Sequence, residues 1–305
     1  MTLTQQIQQI LERKNITQRE LSQQIGMSAG ALSAYLKGTY AGNIENIENA
    51  LENWLKNQDK KIRSFIEAPE FIQTPTAERI FNALEMARFA TTIVPIYGAS
   101  GVGKTKACQE FKKQNQNVWM ITISPSRASL NAFLYELALE LGFKDAPRRK
   151  DRLSRMIVEK LTGTRGIVIV DESAHLTYDA IEELRYIQEK AEVGFALIGN
   201  DRVYTRMQGG INPAHEHARL WNRLGNRCAI KASEKEDIQS VAAAWQLDTK
   251  DKELMKALYD IGTKAGGLRA LTQYLRLAGI AAKGQGVAIN LDLILQAKMH
   301  MQGAI

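Results

Sequence analysis

The chain has 305 residues, 45% of them apolar and 24% charged, an ordinary globular balance with room for about two or three domains. No apolar run approaches the length of a membrane span, the polar start Met1-Thr-Leu-Thr-Gln-Gln lacks a signal-peptide pattern, and neither Cys108 nor Cys228 has metal-ligand spacing. A protein of the reducing cytoplasm, with no membrane contact, is expected. The net charge of +7 is uneven: zero over 1–60, +6 over 61–232 and +1 over 233–305, so the middle of the chain points to a polyanionic partner.

Residues 1–56 read as a small all-helical domain. Leu3, Ile7, Ile10 and Leu11 form one apolar stripe. Thr17-Gln-Arg-Glu20 is a capping box that opens a second helix, faced by Leu21 and Ile25 and ended at Gly26. Ser28 caps a third helix carrying Ala31, Leu32, Tyr35 and Leu36 and closed by Gly38; a fourth starts near Asn43. The stretch ITQRELSQQIGMSAGALSAYLKG resembles the helix-turn-helix of the phage repressor class, which implies that the helix after Ser28 enters the major groove. Its outward positions are Ala29, Gly30, Ser33, Ala34 and Lys37, of which only Ser33 and Lys37 hydrogen-bond through a side chain. Without Arg, Asn or Gln for a bidentate base contact, DNA binding there is expected to lack strong sequence choice. A helical module for protein contacts is the other reading of this uncharged domain.

Residues 57–75 form a candidate linker, with the charged run Asp59-Lys-Lys-Ile-Arg63 and the breakers Pro69 and Pro75. From 76 to 232 apolar runs alternate with helical patterns: Ile93–Tyr97, Val118–Ile123, Gly166–Val170, Val193–Ile198 and Cys228–Lys231. This is the pattern of an α/β domain, a parallel five-stranded sheet covered by helices. Residues 233–305 hold no clear strand and read as a helical bundle.

Directly after the first run comes Gly98-Ala99-Ser100-Gly101-Val102-Gly103-Lys104-Thr105, which spells G-x-x-x-x-G-K-[ST] between a strand and a helix over 104–114. Its glycines let backbone N–H groups curl around a phosphate, and the helix N-terminus adds its positive dipole end. Lys104 is positioned to reach the β- and γ-phosphates of ATP, and Thr105 to hold Mg2+. The run Ile167-Val-Ile-Val delivers Asp171 and Glu172 at a strand's carboxyl end, where ligands bind in open α/β sheets. Asp171 there supports Mg2+, and Glu172 polarises the attacking water. The strand Phe195-Ala-Leu-Ile-Gly ends in Asn200.

This order of motifs resembles the AAA+ ATPase superfamily. The resemblance implies that Asn200 is the sensor that orients the attacking water. It also implies an arginine finger reaching a neighbouring subunit's nucleotide from Arg219-Leu-Trp-Asn-Arg223-Leu-Gly-Asn-Arg227; Arg223 is the first choice, with Arg227 and Arg219 in reserve. Gly266-Gly-Leu-Arg269 opens a helix of the C-terminal bundle, and Arg269 is similar to the lid arginine that reaches back to the γ-phosphate. Joined to the repressor-like module, TPTAERI, IYGASGVGKT, IVIVDESAHL and GGLR resemble the B transposition proteins of Mu-like phages over essentially the whole chain. That family implies ATP binding, assembly as a helical homo-oligomer on double-stranded DNA, delivery of target DNA to a phage transposase with stimulation of strand transfer, and hydrolysis-driven disassembly. DNA contact is carried onto Arg149 and Lys150 in the cluster Arg148-Arg149-Lys150-Asp151-Arg152, and onto Arg127 after the second strand. A helicase or replisome loader and an insertion-sequence helper ATPase share much of this core; a transcription factor with a degenerate ATPase conflicts with the retained Lys104 and Glu172.

Overall fold

The computed structural model describes residues 3–14, 17–64, 69–201 and 227–301. The chain divides into two compact units, Met1–Ile66 with Gly279–Ala288, and Glu67–Ala278 with Ile289–Ile305.

The first unit contains α1 (Leu3–Lys14), α2 (Gln18–Gln24), α3 (Ala29–Leu36) and α4 (Ile44–Ser64). The capping box at its second helix forms as the sequence requires. The Thr17 hydroxyl accepts from the Glu20 amide at 3.2 Å, and the Glu20 carboxylate accepts from the Thr17 amide at 2.8 Å. Ser28 caps α3 through the Ala31 amide, and Gly26 and Gly38 sit at positive φ where α2 and α3 stop. Ile7, Leu21, Leu32, Ile47 and Leu51 are fully buried together, with Trp54 beside them. The Trp54 indole donates to Gln24 Oε1 at 2.8 Å, so its one polar atom is satisfied at the edge of the core. Helix α4 continues through 57–64, into the stretch that reads as linker.

The second unit is a parallel sheet with helices on both faces. Its elements are α5 (Pro75–Phe89), β1 (Ile93–Gly98), α6 (Lys104–Gln114), β2 (Val118–Thr122), α7 (Leu130–Glu140), α8 (Lys150–Leu161), β3 (Ile167–Asp171), α9 (Tyr178–Ala191), β4 (Gly194–Gly199) and β5 (Cys228–Ile230). Four helices follow: α10 (Lys235–Ala244), α11 (Lys252–Gly262), α12 (Gly267–Gln285) and α13 (Leu291–Met301). The strand order is β2-β3-β4-β1-β5, with every pairing parallel.

Continuous apolar strands are what a doubly covered parallel sheet demands, because successive side chains enter opposite cores. In β3, Val168 and Val170 join the core under α7, α8 and α9, while Ile167 and Ile169 join the one under α5 and α6. Phe195 and Leu197 of β4 take the first side, Ala196 and Ile198 the second. All eight are fully buried, and each large side chain among them contributes about 1.5–3 kcal/mol relative to exposure. Parallel pairing also aligns the carboxyl ends of β1, β3 and β4 along one edge. Gly98, Asp171 and Asn200 meet there although the sequence scatters them over a hundred residues.

The C-terminal helices are fastened to the core by a buried carboxylate. Asp237 on α10 is fully buried and accepts from the Thr76 amide (2.8 Å), the Thr76 hydroxyl (2.7 Å) and the Glu234 amide (2.8 Å). Arg79 to Glu234, at 2.7 Å, adds an exposed ion pair across the same junction.

Candidate active site

The phosphate loop leaves β1 at Gly98 and enters α6 at Lys104, as the motif requires. Gly98 has φ +130°, and a Cβ there would meet the Ile230 carbonyl oxygen at 2.0 Å. Gly103 has open space around it; its φ of +99° alone calls for glycine at the start of α6. Gly101 is not a fixed position of the motif. Its φ is +83°, and a Cβ would lie 2.0 Å from the Gly266 carbonyl oxygen. The Arg269 amide donates to the Gly101 carbonyl at 3.1 Å, so the start of α12 lies backbone to backbone on the phosphate loop.

Within the loop the Lys104 ammonium donates to the carbonyls of Gly98 (3.0 Å) and Ala99 (2.7 Å). Burial lowers its pKa from the ordinary lysine value, against the opposing pull of Asp171, Glu172 and Asp201. The Arg269 charge lowers it further, so this arginine is close enough for its field to be felt at Lys104. Thr105 Oγ1 donates to Asp171 Oδ2 at 2.8 Å, while Asp171 Oδ1 accepts from the Glu172 amide at 2.9 Å. The pair supplies one carboxylate and one hydroxyl, hard oxygen donors of the kind that would suit Mg2+. Among the described residues there is no group of three or more His, Cys, Asp or Glu that could hold a metal by itself.

Glu172 is exposed, with φ +51° and ψ +35°, a left-handed backbone unusual for a residue other than glycine. Such strain costs about 1–3 kcal/mol and survives only where neighbours over-determine it. Lys104, Thr105, Asp171, Glu172, Asn200 and Arg269 all line one cavity of about 480 Å3, within the usual range for a small-molecule site. Burial raises the Cys108 thiol pKa far above its ordinary value; beneath the phosphate loop it serves as a core residue.

Part of the cavity lining has no counterpart in the motif reading. The apolar Phe71, Ile72, Ala77, Val241, Trp245 and Leu268 line the cavity together with the phosphate loop. Phe71 stacks on Phe81 with centroids 6.1 Å apart, and Phe81 meets Phe111 edge-on at 5.5 Å. Glu70 pairs with Lys113 on α6 at 2.6 Å. Residues 69–74, read from sequence as linker, thus form a wall of the site. The only sequence hint was the apolar pair Phe71-Ile72 between two prolines. On helix α12, Thr272, Gln273 and Arg276 line the same cavity, one and two turns beyond Arg269.

Of the other residues singled out in the sequence, Arg219 and Arg223 lie outside the described residues. Arg227 is described, exposed, and directly precedes β5. The two basic features prove to be neighbours. Arg127 pairs with Glu136 at 3.1 Å, and the Arg148 guanidinium sits 4.3 Å over the Tyr135 ring, so both rest on adjacent residues of α7. Arg149 forms a two-bond contact with Asp151 at 3.1 and 2.9 Å, and Lys150 is exposed at the start of α8. These surface pairs are weak and readily exchanged for phosphate oxygens. In the first unit, Lys37 is exposed at the end of α3 and Ser33 is half-buried one turn earlier; Ala29 and Gly30 are exposed.

Three family models match successive parts of the chain: "Helix-turn-helix" over 7–52, "AAA domain" over 87–207, and "Mu B transposition protein, C terminal" over 222–301. The chain is 52% identical over 273 residues to the Mu-like prophage FluMu DNA transposition protein B of Haemophilus influenzae, covering 90% of this chain and 95% of that protein. It is 41% identical over 288 residues to the ATP-dependent target DNA activator B of Escherichia phage Mu, covering 94% and 91%. Among solved structures, one of Drosophila ORC bound to DNA superposes with a TM-score of 0.54 at 16% identity, over 80% of this chain and 65% of that one. This last likeness concerns the fold alone.

Proposed function

The chain belongs to the Mu B transposition protein family, and from that premise we propose that it is an ATP-dependent activator of target DNA for a phage transposase. It is an AAA+ ATPase. In the proposed cycle ATP binds with its base against the apolar Phe71, Ile72, Trp245 and Leu268 of the cavity lining. The backbone of Gly98, Ala99, Ser100, Gly101, Val102 and Gly103 holds the phosphates. Lys104 exchanges its two loop carbonyls for β- and γ-phosphate oxygens; Thr105 and Asp171 would hold Mg2+, which would supply charge neutralisation at the transferring phosphate. Glu172 polarises the attacking water, Asn200 orients it, and Arg269 reaches the γ-phosphate from α12. Arg223 acts from a neighbouring subunit, with Arg227 and Arg219 as its alternates.

Nucleotide bound between subunits joins them into a helical homo-oligomer on double-stranded DNA. Arg127, Arg149 and Lys150 contact the phosphate backbone, with little sequence choice. Ser33 and Lys37 add contacts from the helix-turn-helix. The assembly presents target DNA to the transposase and stimulates strand transfer, and hydrolysis loosens it. The observation that carries this reading is the one cavity lined together by the phosphate loop, Asp171, Glu172, Asn200, Arg269 and the apolar Phe71, Trp245 and Leu268. Mobility of random duplex DNA with ATP, ADP or no nucleotide is the test. Laddering that requires ATP and is abolished by Lys104→Ala is expected. Equal assembly without nucleotide would refute the switch, and one discrete complex on a single operator would point to a transcription factor.

A further inference from the structure

Beyond the residues named by the motifs, we propose that Ser173 is a positioning residue for ATP hydrolysis, coupling the strand end that carries Glu172 to the one that carries Asn200. The inference rests on the reading of Glu172 as the water-polarising carboxylate. Ser173 is 5% exposed, and its hydroxyl donates to the Ile198 carbonyl at 3.0 Å. The register between β3 and β4 runs to Val170 and Leu197. Past that pair, the Ser173 hydroxyl holds the two strand ends together where each turns into the cavity. Ile198 lies two residues before Asn200, and Ser173 directly follows Glu172.

The bond acts on a backbone that needs holding. Glu172 sits at φ +51°, which a side-chain-bearing residue adopts only under constraint. Upstream, its amide is tied to Asp171 Oδ1 at 2.9 Å. Downstream, the His175 amide donates to its carbonyl at 3.1 Å, and the Leu176 amide to the Ser173 carbonyl at 3.1 Å. Each of these bonds stays within the Asp171–Leu176 segment. The Ser173 side chain ties this strained turn to β4. Without it, Glu172 is free to relax toward right-handed backbone, which swings its carboxylate away from the attacking water. Phosphate and base contacts are made by other elements and are left as they were. Turnover therefore falls while nucleotide affinity holds, because a 1 Å misplacement of a reacting group slows chemistry severely.

Steady-state ATPase kinetics in the presence of duplex DNA, together with equilibrium binding of a fluorescent ADP analogue, test this on the full chain. Ser173→Ala is expected to lower kcat about tenfold or more with KM and ADP affinity within about twofold of the parent, and Ser173→Thr to restore much of the loss. Should the alanine variant fail to fold, Ser173→Cys, close in volume but a weak donor, takes its place. In the Glu172→Gln background, removing the Ser173 hydroxyl is expected to cost nothing more. Wild-type kcat in Ser173→Ala, a parallel loss of ADP affinity, or additive losses in the double variant would each overturn the inference. Full turnover in Glu172→Gln alone would instead remove the reading of Glu172 on which it stands.

Discussion

Replacing Asp237 by Asn removes one carboxylate oxygen from a buried site on which three donors converge. The amide group keeps a single acceptor oxygen and turns its NH2 toward the remaining donors. The Thr76 hydroxyl can rotate and accept, but a backbone amide is then left facing a donor. A hydrogen bond to a charged acceptor is worth about 1.5–3 kcal/mol, and a buried donor left without a partner costs about 1–3 kcal/mol. Since Asp237 is fully buried, water cannot fill the gap, and a loss of about 2–4 kcal/mol is expected. For a unit of this size that is a fall of about 5–15 °C in the melting midpoint. The function changes with it, because Thr74 and Ala77, on either side of Thr76, line the cavity, as do Val241 and Trp245 beyond Asp237. Thermal unfolding by circular dichroism, with ATP affinity by calorimetry, reads both consequences. Thr76→Val should lose less, since the backbone bond survives. If Asp237→Asn melted within about 2 °C of the parent and bound ATP equally well, the carboxylate would not be what fastens the C-terminal helices to the core.

Two comparisons follow from the same geometry. Gly101→Ala must move the Gly266 carbonyl as well as adopt positive φ, whereas Gly103→Ala meets only the φ penalty of about 1–2 kcal/mol. Gly101→Ala is therefore expected to speed hydrogen exchange at the Arg269 amide, which donates to Gly101, and Gly103→Ala to leave that amide protected; equal protection in both would refute the backbone contact. Exchanging Arg149 and Lys150 for Glu should weaken duplex binding and lower the slope of log affinity against log salt by about 1.8, two phosphate contacts, while ADP affinity stays unchanged. An unaltered slope would return the pair to a solvated helix face.

Much of the fold was legible because its signals are local. The capping box at Thr17 and Glu20, the Ser28 cap, and the left-handed Gly26 and Gly38 each act within one helical turn, and all four appear where the sequence placed them. The strand bounds agree to within one residue at each end, because continuous apolar runs suit strands buried on both faces of a covered parallel sheet. The phosphate loop, Asp171 and Glu172 line one cavity. Within the stretch that reads as linker, residues 57–64 extend α4 and residues 69–74 line the cavity, because breakers and a charged run do not reveal what a segment packs against.

What the amino-acid order determined by itself is the set of short-range commitments: where helices start and stop, which runs form strands, and which loop curls around a phosphate. These depend on backbone conformation and on neighbours within a few positions. Only the folded chain decided the partnerships made across long separations. Asp237 reaches Thr76 over 161 residues, Ser173 spans to Ile198, Gly101 leaves room for the Gly266 carbonyl, and Phe71 joins Trp245 and Leu268 in lining one cavity. Apart from the apolar Phe71-Ile72 pair, the local pattern does not distinguish such residues from their neighbours, because their role arises from what a particular packing of sheet and helices brings within bonding distance.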